Sequence, residues 1–335
     1  MLNVAIVGFG LSGRYLQAPF FLTNPNFRLK TIVSKNQNPT AVYPSVQKAT
    51  HLDAVLADNE IDLVSISSPN NTHFEYAQKC LLAGKHILVE KPFTTTVRQA
   101  EVLISLAKTR KKHVFVFQNR RFDSDFLTVK HIVENHFLGE LISFEAHFNR
   151  FKPLLNPKKW KEIPDPSNGI LYDLGSHIAD QVVGLFGGPL SISGETFTQR
   201  EHSEVDDAFD VRLDYGRLKV TLKSSLLVRE DTPRYILQGT KGSFVKYGID
   251  CQEDQLKAGL MPTAPNFGVE PTDNQGLINA EINGLCIRGK VETKTGAWHL
   301  LFQNIYDVIA LGHEPLIKMS EVLEQMRILE RVKQG

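Results

Sequence analysis

Met1-Leu2-Asn3-Val4-Ala5-Ile6-Val7-Gly8-Phe9-Gly10-Leu11-Ser12-Gly13 opens the chain. The run from Leu2 to Val7 is apolar on both faces, as a parallel strand covered by helices must be. Gly-x-Gly-x-x-Gly follows at once, and a helical segment follows that. The first glycine permits a tight turn, and the second lets a pyrophosphate approach the backbone. The third lets the helix pack closely on the strand, with its N-terminus facing the phosphates. This order assigns Gly8, Phe9, Gly10, Leu11, Ser12 and Gly13 to a dinucleotide cofactor.

Outward from that turn, strands alternate with helices. Further apolar runs lie at 27–34, 62–67, 86–90 and 113–118. A helix at 74–83 stops before Gly84. Another at 96–109 closes on Arg110-Lys111-Lys112, cations that suit the negative end of a helix dipole. The succession predicts a Rossmann domain over 1–122, an α/β fold with a doubly wound parallel sheet. Beyond it, 123–335 reads as an α+β domain with an open, mainly antiparallel sheet. A helix at 126–135 leads to a strand at 141–149, a Pro- and Lys-rich loop at 152–168 and a helix at 170–186. Phe209, Val211, Leu213 and Tyr215 alternate at period two, Gly216-Arg217 turns the chain, and Leu218, Val220 and Leu222 resume the alternation. Short strands follow at 234–238 and 244–247, then an irregular loop over 250–276 and helices at 298–311 and 320–331.

At 335 residues the chain exceeds one ordinary core, which stops growing at roughly 250–300 residues. Lys plus Arg total 38 against 37 Asp plus Glu, a balance that gives no reason to expect nucleic acid or an anionic membrane as partner. Cys80, Cys251 and Cys286 form no Cys-x-x-Cys, so neither a zinc ribbon nor a dithiol motif is available, and no metal site is expected. The chain shows neither a basic leader nor an apolar run long enough for a bilayer, and a cytoplasmic location is expected.

The cofactor expectation is NADP in preference to NAD. Where an NAD enzyme places a carboxylate on the ribose 2′-hydroxyl, this chain has Ser34-Lys35-Asn36. A hydroxyl and an ammonium there accept a 2′-phosphate. The turn Ser67-Ser68-Pro69-Asn70-Asn71-Thr72-His73 lies at the carboxyl end of a parallel strand, where ligands bind. Ser68, Pro69, Asn71 and His73 are therefore cofactor candidates, although His73 also reads as a cap or packing residue. Glu90-Lys91-Pro92 ends the next strand on the same side, which makes Glu90 and Lys91 cofactor candidates as well, and Lys91 is an odd residue to place there for packing alone. Asp173 and His177 lie four apart on a helix and share one face. A carboxylate one turn away orients an imidazole and raises its basicity for acid–base work. Gly175 between them reads as room for a substrate or nicotinamide ring.

These residues carry a resemblance. Across essentially its whole length the chain resembles the Gfo/Idh/MocA oxidoreductases, on the glycine motif, Glu90-Lys91-Pro92 and Asp173-x-x-x-His177. It is most similar to the NADP-dependent scyllo-inositol dehydrogenase branch. The shared pieces there are the segment from Gly13 to Pro19, Asn119-Arg120-Arg121-Phe122-Asp123, Leu171-Tyr172-Asp173-Leu174-Gly175-Ser176-His177 and Lys246-Tyr247-Gly248-Ile249-Asp250. The resemblance implies a catalytic set of Lys91, Asp173 and His177 beside the nicotinamide, acting on a secondary alcohol of a cyclic polyol or sugar. Asn119, Arg120, Tyr172 and Trp160 are the substrate candidates. The arginines at 120 and 121 read equally as ties through Asp123 or Asp125, and Trp160 equally as a core residue.

Two further readings stay open: an NAD-dependent glycosidase, and a regulator that binds the dinucleotide without turnover. Tyr215-Gly216-Arg217-Leu218-Lys219 matches the short-chain dehydrogenase string but spans a β-turn, where residues four apart share no helical face. An open sheet with one uncovered face is expected to pair with another copy, giving a homodimer or homotetramer.

Overall fold

The computed structural model describes residues 1–334, except that the side chain of Trp160 lies outside the description. The chain divides into two compact units, which are not contiguous in sequence. Unit 1 comprises Met1–Asn119, Gln252–Phe267 and Ala297–Leu323, and unit 2 the remainder.

Unit 1 is built on β1 (Leu2–Val7), α1 (Ala18–Thr23), β2 (Phe27–Val33), β3 (Gln47–Ala49), α2 (Asp53–Leu56), β4 (Leu63–Ile66), α3 (His73–Leu82), β5 (His86–Val89), α4 (Val97–Arg110) and β6 (Val114–Val116). The strands form one parallel sheet in the order β3-β2-β1-β4-β5-β6. The order reverses between β1 and β4, and the carboxyl ends of those strands flank the crevice where doubly wound sheets bind ligands. Val4, Ile6 and Val7 are buried, each contributing about 1.5–3 kcal/mol. Thr96 caps α4 by accepting the Gln99 backbone N–H, and Lys111 ends it in the left-handed conformation.

Unit 2 begins with α5 (Ser124–Glu134), β7 (Leu141–His147), α6 (Ser176–Phe186) and β8 (Ser191–Phe197). It continues with the hairpin β9 (Ala208–Tyr215) and β10 (Leu218–Ser225), then β11 (Tyr235–Gly239) and β12 (Gly242–Lys246). α7 (Gln252–Lys257) then belongs to unit 1, β13 (Gly276–Ile282) and β14 (Leu285–Val291) to unit 2, and α8 (His299–Leu311) to unit 1. α9 (Met319–Gln334) ends the described chain. The eight-stranded sheet runs β14-β13-β12-β11-β7-β10-β9-β8 and is antiparallel except for the β7–β10 pair. Its core joins Val129, Ile132, Ile178, Val182, Ile328 and Leu329 of the helices to Phe144, Phe209, Tyr235, Leu237 and Phe244 of the strands.

Three expectations need correction. The stretch 250–276 is not wholly irregular, because α7 lies inside it; Leu256 is its only large apolar residue, so no helical period shows. α6 is preceded by a π-helical turn, Leu171–Gly175, rather than starting as one regular helix at 170. The uncovered face of the larger sheet is mixed rather than uniformly apolar, for Ile236, Val245 and Leu277 lie on it across β11, β12 and β13, in register with Glu145 of β7. On β7, β9 and β10 it carries Glu145, Asp210, Arg212, Asp214, Lys219 and Lys223, alternating with buried Phe144, Val211, Leu213, Val220 and Leu222.

α8 completes unit 1 because α1 leaves two phenylalanines to cover. Phe302 of α8 stacks on Phe20 at 4.7 Å and meets Phe21 edge-on at 4.9 Å. Trp298, fully buried, lies 6.3 Å from Phe20. Such aromatic pairs contribute about 0.5–1.5 kcal/mol each beyond their area.

Candidate active site

In unit 1 the three glycines of the motif play different parts. Gly8 has φ +104°, and a Cβ on it would lie 2.5 Å from the Ser67 carbonyl oxygen. A Cβ on Gly13 would lie 2.1 Å from the Gly8 carbonyl oxygen. A Cβ on Gly10 would meet nothing within 4 Å. The outer glycines thus make the turn and the close helix–strand contact, and the middle one leaves backbone open to a ligand. That cradle fits a dinucleotide pyrophosphate. The helix after it opens on a π-turn, Ser12–Gln17, a form that recurs at functional sites. Phe9 is buried edge-on against Tyr43, whose hydroxyl donates to the Arg14 carbonyl. Leu11 is exposed.

Around the cradle stand the ends of β2, β4 and β5. Ser34 is buried with its hydroxyl accepting the Gln37 N–H, and Lys35 is exposed beside it. The Ser68 and Thr72 hydroxyls bond at 2.6 Å, and Pro69 and Asn71 are exposed. His73 is fully buried, its Nδ1 2.8 Å from the Pro92 carbonyl and its Nε2 3.0 Å from that of Ser68. Burial holds its pKa below the usual histidine range, against the pull of the carbonyls, and the neutral ring, with one N–H, donates to one of the two. Glu90 points its carboxyl into the protein, where burial pushes its pKa up and the Lys91 charge and three donors pull it down. Asn119, also buried, ends this segment of unit 1.

In unit 2 the π-turn and α6 carry the second set. Asp206 anchors their start: its carboxylate accepts the Leu171 N–H at 2.9 Å, its carbonyl accepts that of Ile170 at 2.8 Å, and Lys333 pairs with it. Asp173 and His177 follow one turn apart. The Asp173 side chain is 41% exposed and accepts from Lys161 Nζ at 3.2 Å, whereas His177 is 6% exposed. The His177 ring lies 6.4 Å from that of Phe148, and the Arg234 guanidinium covers Phe148 at 4.1 Å. A half-exposed carboxylate and a buried imidazole on one helix face can hold one hydroxyl and take the proton of another. Gly175 does not leave ligand space, since a Cβ there would meet Phe209 and Leu171 at 3.1–3.2 Å. It lets α6 approach β9.

The remaining candidates are committed within unit 2. Arg120 pairs with Asp123 at 3.1 Å, and its carbonyl accepts from Gln181 at 2.7 Å. Arg121 grips Asp180 with two bonds of 2.7 and 2.8 Å. Tyr172 is 4% exposed in the core, where burial pushes its hydroxyl well above the usual range. Tyr215 and Lys219 sit on either side of a β-hairpin turn, as their spacing implied. The Trp160 side chain lies outside the described residues. Sequence reasoning passed over Lys161, one lysine in a lysine-rich loop. It also passed over the buried Arg200, which bonds Glu162 at 3.1 Å and Asp207 at 3.0 Å and so fixes that loop.

No helix among the described residues is long and apolar enough to cross a membrane. Residues 2–118 match the Gfo/Idh/MocA oxidoreductase family's NAD-binding Rossmann fold, and residues 130–334 match that family's C-terminal alpha/beta domain. The chain is 38% identical over 336 residues to the oxidoreductase YhhX of Escherichia coli (strain K12), covering 99% of this chain and 96% of that one. It is 33% identical over 336 residues to scyllo-inositol 2-dehydrogenase (NADP(+)) IolW of Bacillus subtilis (strain 168), covering 98% and 92%. The crystal structure of an oxidoreductase from Bacillus cereus, 38% identical, matches with a TM-score of 0.93 over 100% of this chain and 96% of that one. With both domains matched and the glycine cradle intact, the chain belongs to the Gfo/Idh/MocA family of NAD(P)-binding oxidoreductases.

Proposed function

We propose that this protein is an NADP-linked dehydrogenase that oxidises a secondary alcohol of a cyclic polyol, an inositol or close relative, and reduces the matching ketone in reverse. The observation that carries this is the half-exposed Asp173 one turn from the buried His177, at the mouth of a helix opened by a π-turn. The named activity of the Bacillus subtilis relative supports the substrate class and the cofactor.

When bound, the nicotinamide supplies the hydride acceptor. His177 takes the proton of the reacting hydroxyl. Lys91 stabilises the alkoxide that develops there. Asp173, with Lys161 beside it, holds a neighbouring hydroxyl. Ser34 and Lys35 face the ribose 2′-phosphate. The test is initial-rate reduction of NADP and NAD over a panel of inositols and aldoses, for the wild type and Lys35→Asp. The expected result is NADP-linked oxidation of an inositol, with kcat/KM for NADP falling about 10–100-fold in Lys35→Asp and that for NAD little changed. An unchanged cofactor ratio would remove Lys35 from the 2′-phosphate site. Glycoside cleavage without net NADPH formation would favour a glycosidase instead.

We also propose a homodimer or homotetramer through the uncovered face of the larger sheet. Both signs of charge stand on neighbouring strands there, Glu145, Asp210 and Asp214 beside Arg212, Lys219 and Lys223, so a two-fold copy can pair opposite charges. A monomer by light scattering at micromolar concentration would contradict this.

A further inference from the structure

Around Glu90 the side chains form one directed chain of hydrogen bonds. The Ser65 hydroxyl donates to Gln17 Oε1. Gln17 Nε2 donates to Ser12 Oγ at 3.0 Å and, at 3.4 Å, to Glu90 Oε1. The Ser12 hydroxyl donates to the same Glu90 oxygen. Glu90 Oε2 accepts the Lys91 backbone N–H at 2.9 Å. Gln17 and Ser65 are fully buried. Ser12 and Gln17 are five residues apart, a separation that faces one side in a π-turn and not in an α-helix. The irregular turn after the glycine motif therefore brings both donors onto Glu90. On the other flank of the lysine, His73 holds the Pro92 carbonyl. Lys91 thus hangs between two clamps, and the Glu90 clamp is anchored inside the phosphate-binding turn.

We propose that Glu90 is a positioning residue rather than a cofactor ligand: it registers Lys91 to Ser12, so that the turn seating the pyrophosphate also sets the lysine. The inference rests on the reading of Lys91 as the group that stabilises the alkoxide. A carboxylate suits this task because it accepts on both oxygens. An amide in its place has one acceptor, and its NH2 would face a donor. Each link on its own could serve only to stabilise the fold. The coupling of Ser12 to a segment 78 residues away is what a positioning role adds.

The test compares wild type, Ser12→Ala, Glu90→Gln, the double variant and Lys91→Met. Amide hydrogen exchange of residues 88–94 in the cofactor-free protein needs no substrate. In Ser12→Ala and Glu90→Gln that exchange is expected to quicken about 3–10-fold as the hold on the Lys91 N–H loosens. KM for scyllo-inositol in both single variants, and calorimetric Kd for NADP in Glu90→Gln, are expected within about threefold of wild type, with kcat down roughly 10–100-fold. The double variant should be no slower than Glu90→Gln alone, since the two act in series. If Glu90→Gln fails to fold, Ser12→Ala carries the comparison. Unchanged exchange in Ser12→Ala, with Lys91→Met inactive, would overturn the inference alone. Wild-type turnover in Lys91→Met would overturn the lysine's role, and this inference with it.

Discussion

His177→Ala and Lys91→Met are each expected to lower kcat for polyol oxidation by roughly 10²-fold or more, with NADP binding kept. The proposed mechanism gives the two residues different tasks. In that mechanism, removing the imidazole removes the group proposed to take the hydroxyl proton. Without the ammonium the alkoxide forms uncompensated, although Met keeps the length and shape of the side chain. Neither residue belongs to the glycine cradle, so the seat of the pyrophosphate is untouched. Single-turnover rates with scyllo-inositol and calorimetric titration of NADP separate the two quantities. Wild-type turnover in either variant would remove that residue from the mechanism.

Lys246→Met is expected to destabilise the protein by about 3–5 kcal/mol. The Lys246 and Glu270 side chains are both 0% exposed and meet at 2.8 Å. Lys246 Nζ also donates to the Tyr247 carbonyl at 2.7 Å, and the other Glu270 oxygen accepts from Ser124, whose hydroxyl is 2.8 Å from Asp250. Burial pushes the Glu270 carboxyl above its usual range, and the Lys246 ammonium and the Ser124 hydroxyl pull it back. Removing the ammonium leaves a buried carboxyl without its cation. Replacing both partners, as Lys246→Met with Glu270→Leu, should recover part of the loss because no stranded charge remains. Urea unfolding followed by circular dichroism measures both; a cost below about 1 kcal/mol for Lys246→Met would show that the pair contributes little net stability.

The first unit was largely legible because parallel strands are apolar throughout and their punctuation is chemical. β1 spans Leu2–Val7 as read, and α4 starts after Thr96 because a threonine hydroxyl there accepts an N–H. β3 was illegible: Gln47-Lys48-Ala49 is a three-residue edge strand with no apolar run. The return of α8 to unit 1 has no local signal either; it is decided by Phe20 and Phe21, nearly three hundred residues before Phe302. Gly10 and Gly175 show the same limit on a small scale. Both are glycines beside functional groups, yet one faces open space and the other faces Phe209, and only tertiary packing separates them. The roles of Lys161, Arg200 and Glu90 were hidden because each depends on partners distant in sequence.

The most direct measurement is incubation of the protein with NADP and ring-deuterated scyllo-inositol, followed by absorbance at 340 nm and mass spectrometry of the cofactor. The expected result is a rise in absorbance with one deuterium carried into the reduced cofactor. Firm NADP binding with neither absorbance change nor label, for scyllo-inositol and every other inositol tried, would contradict a polyol dehydrogenase.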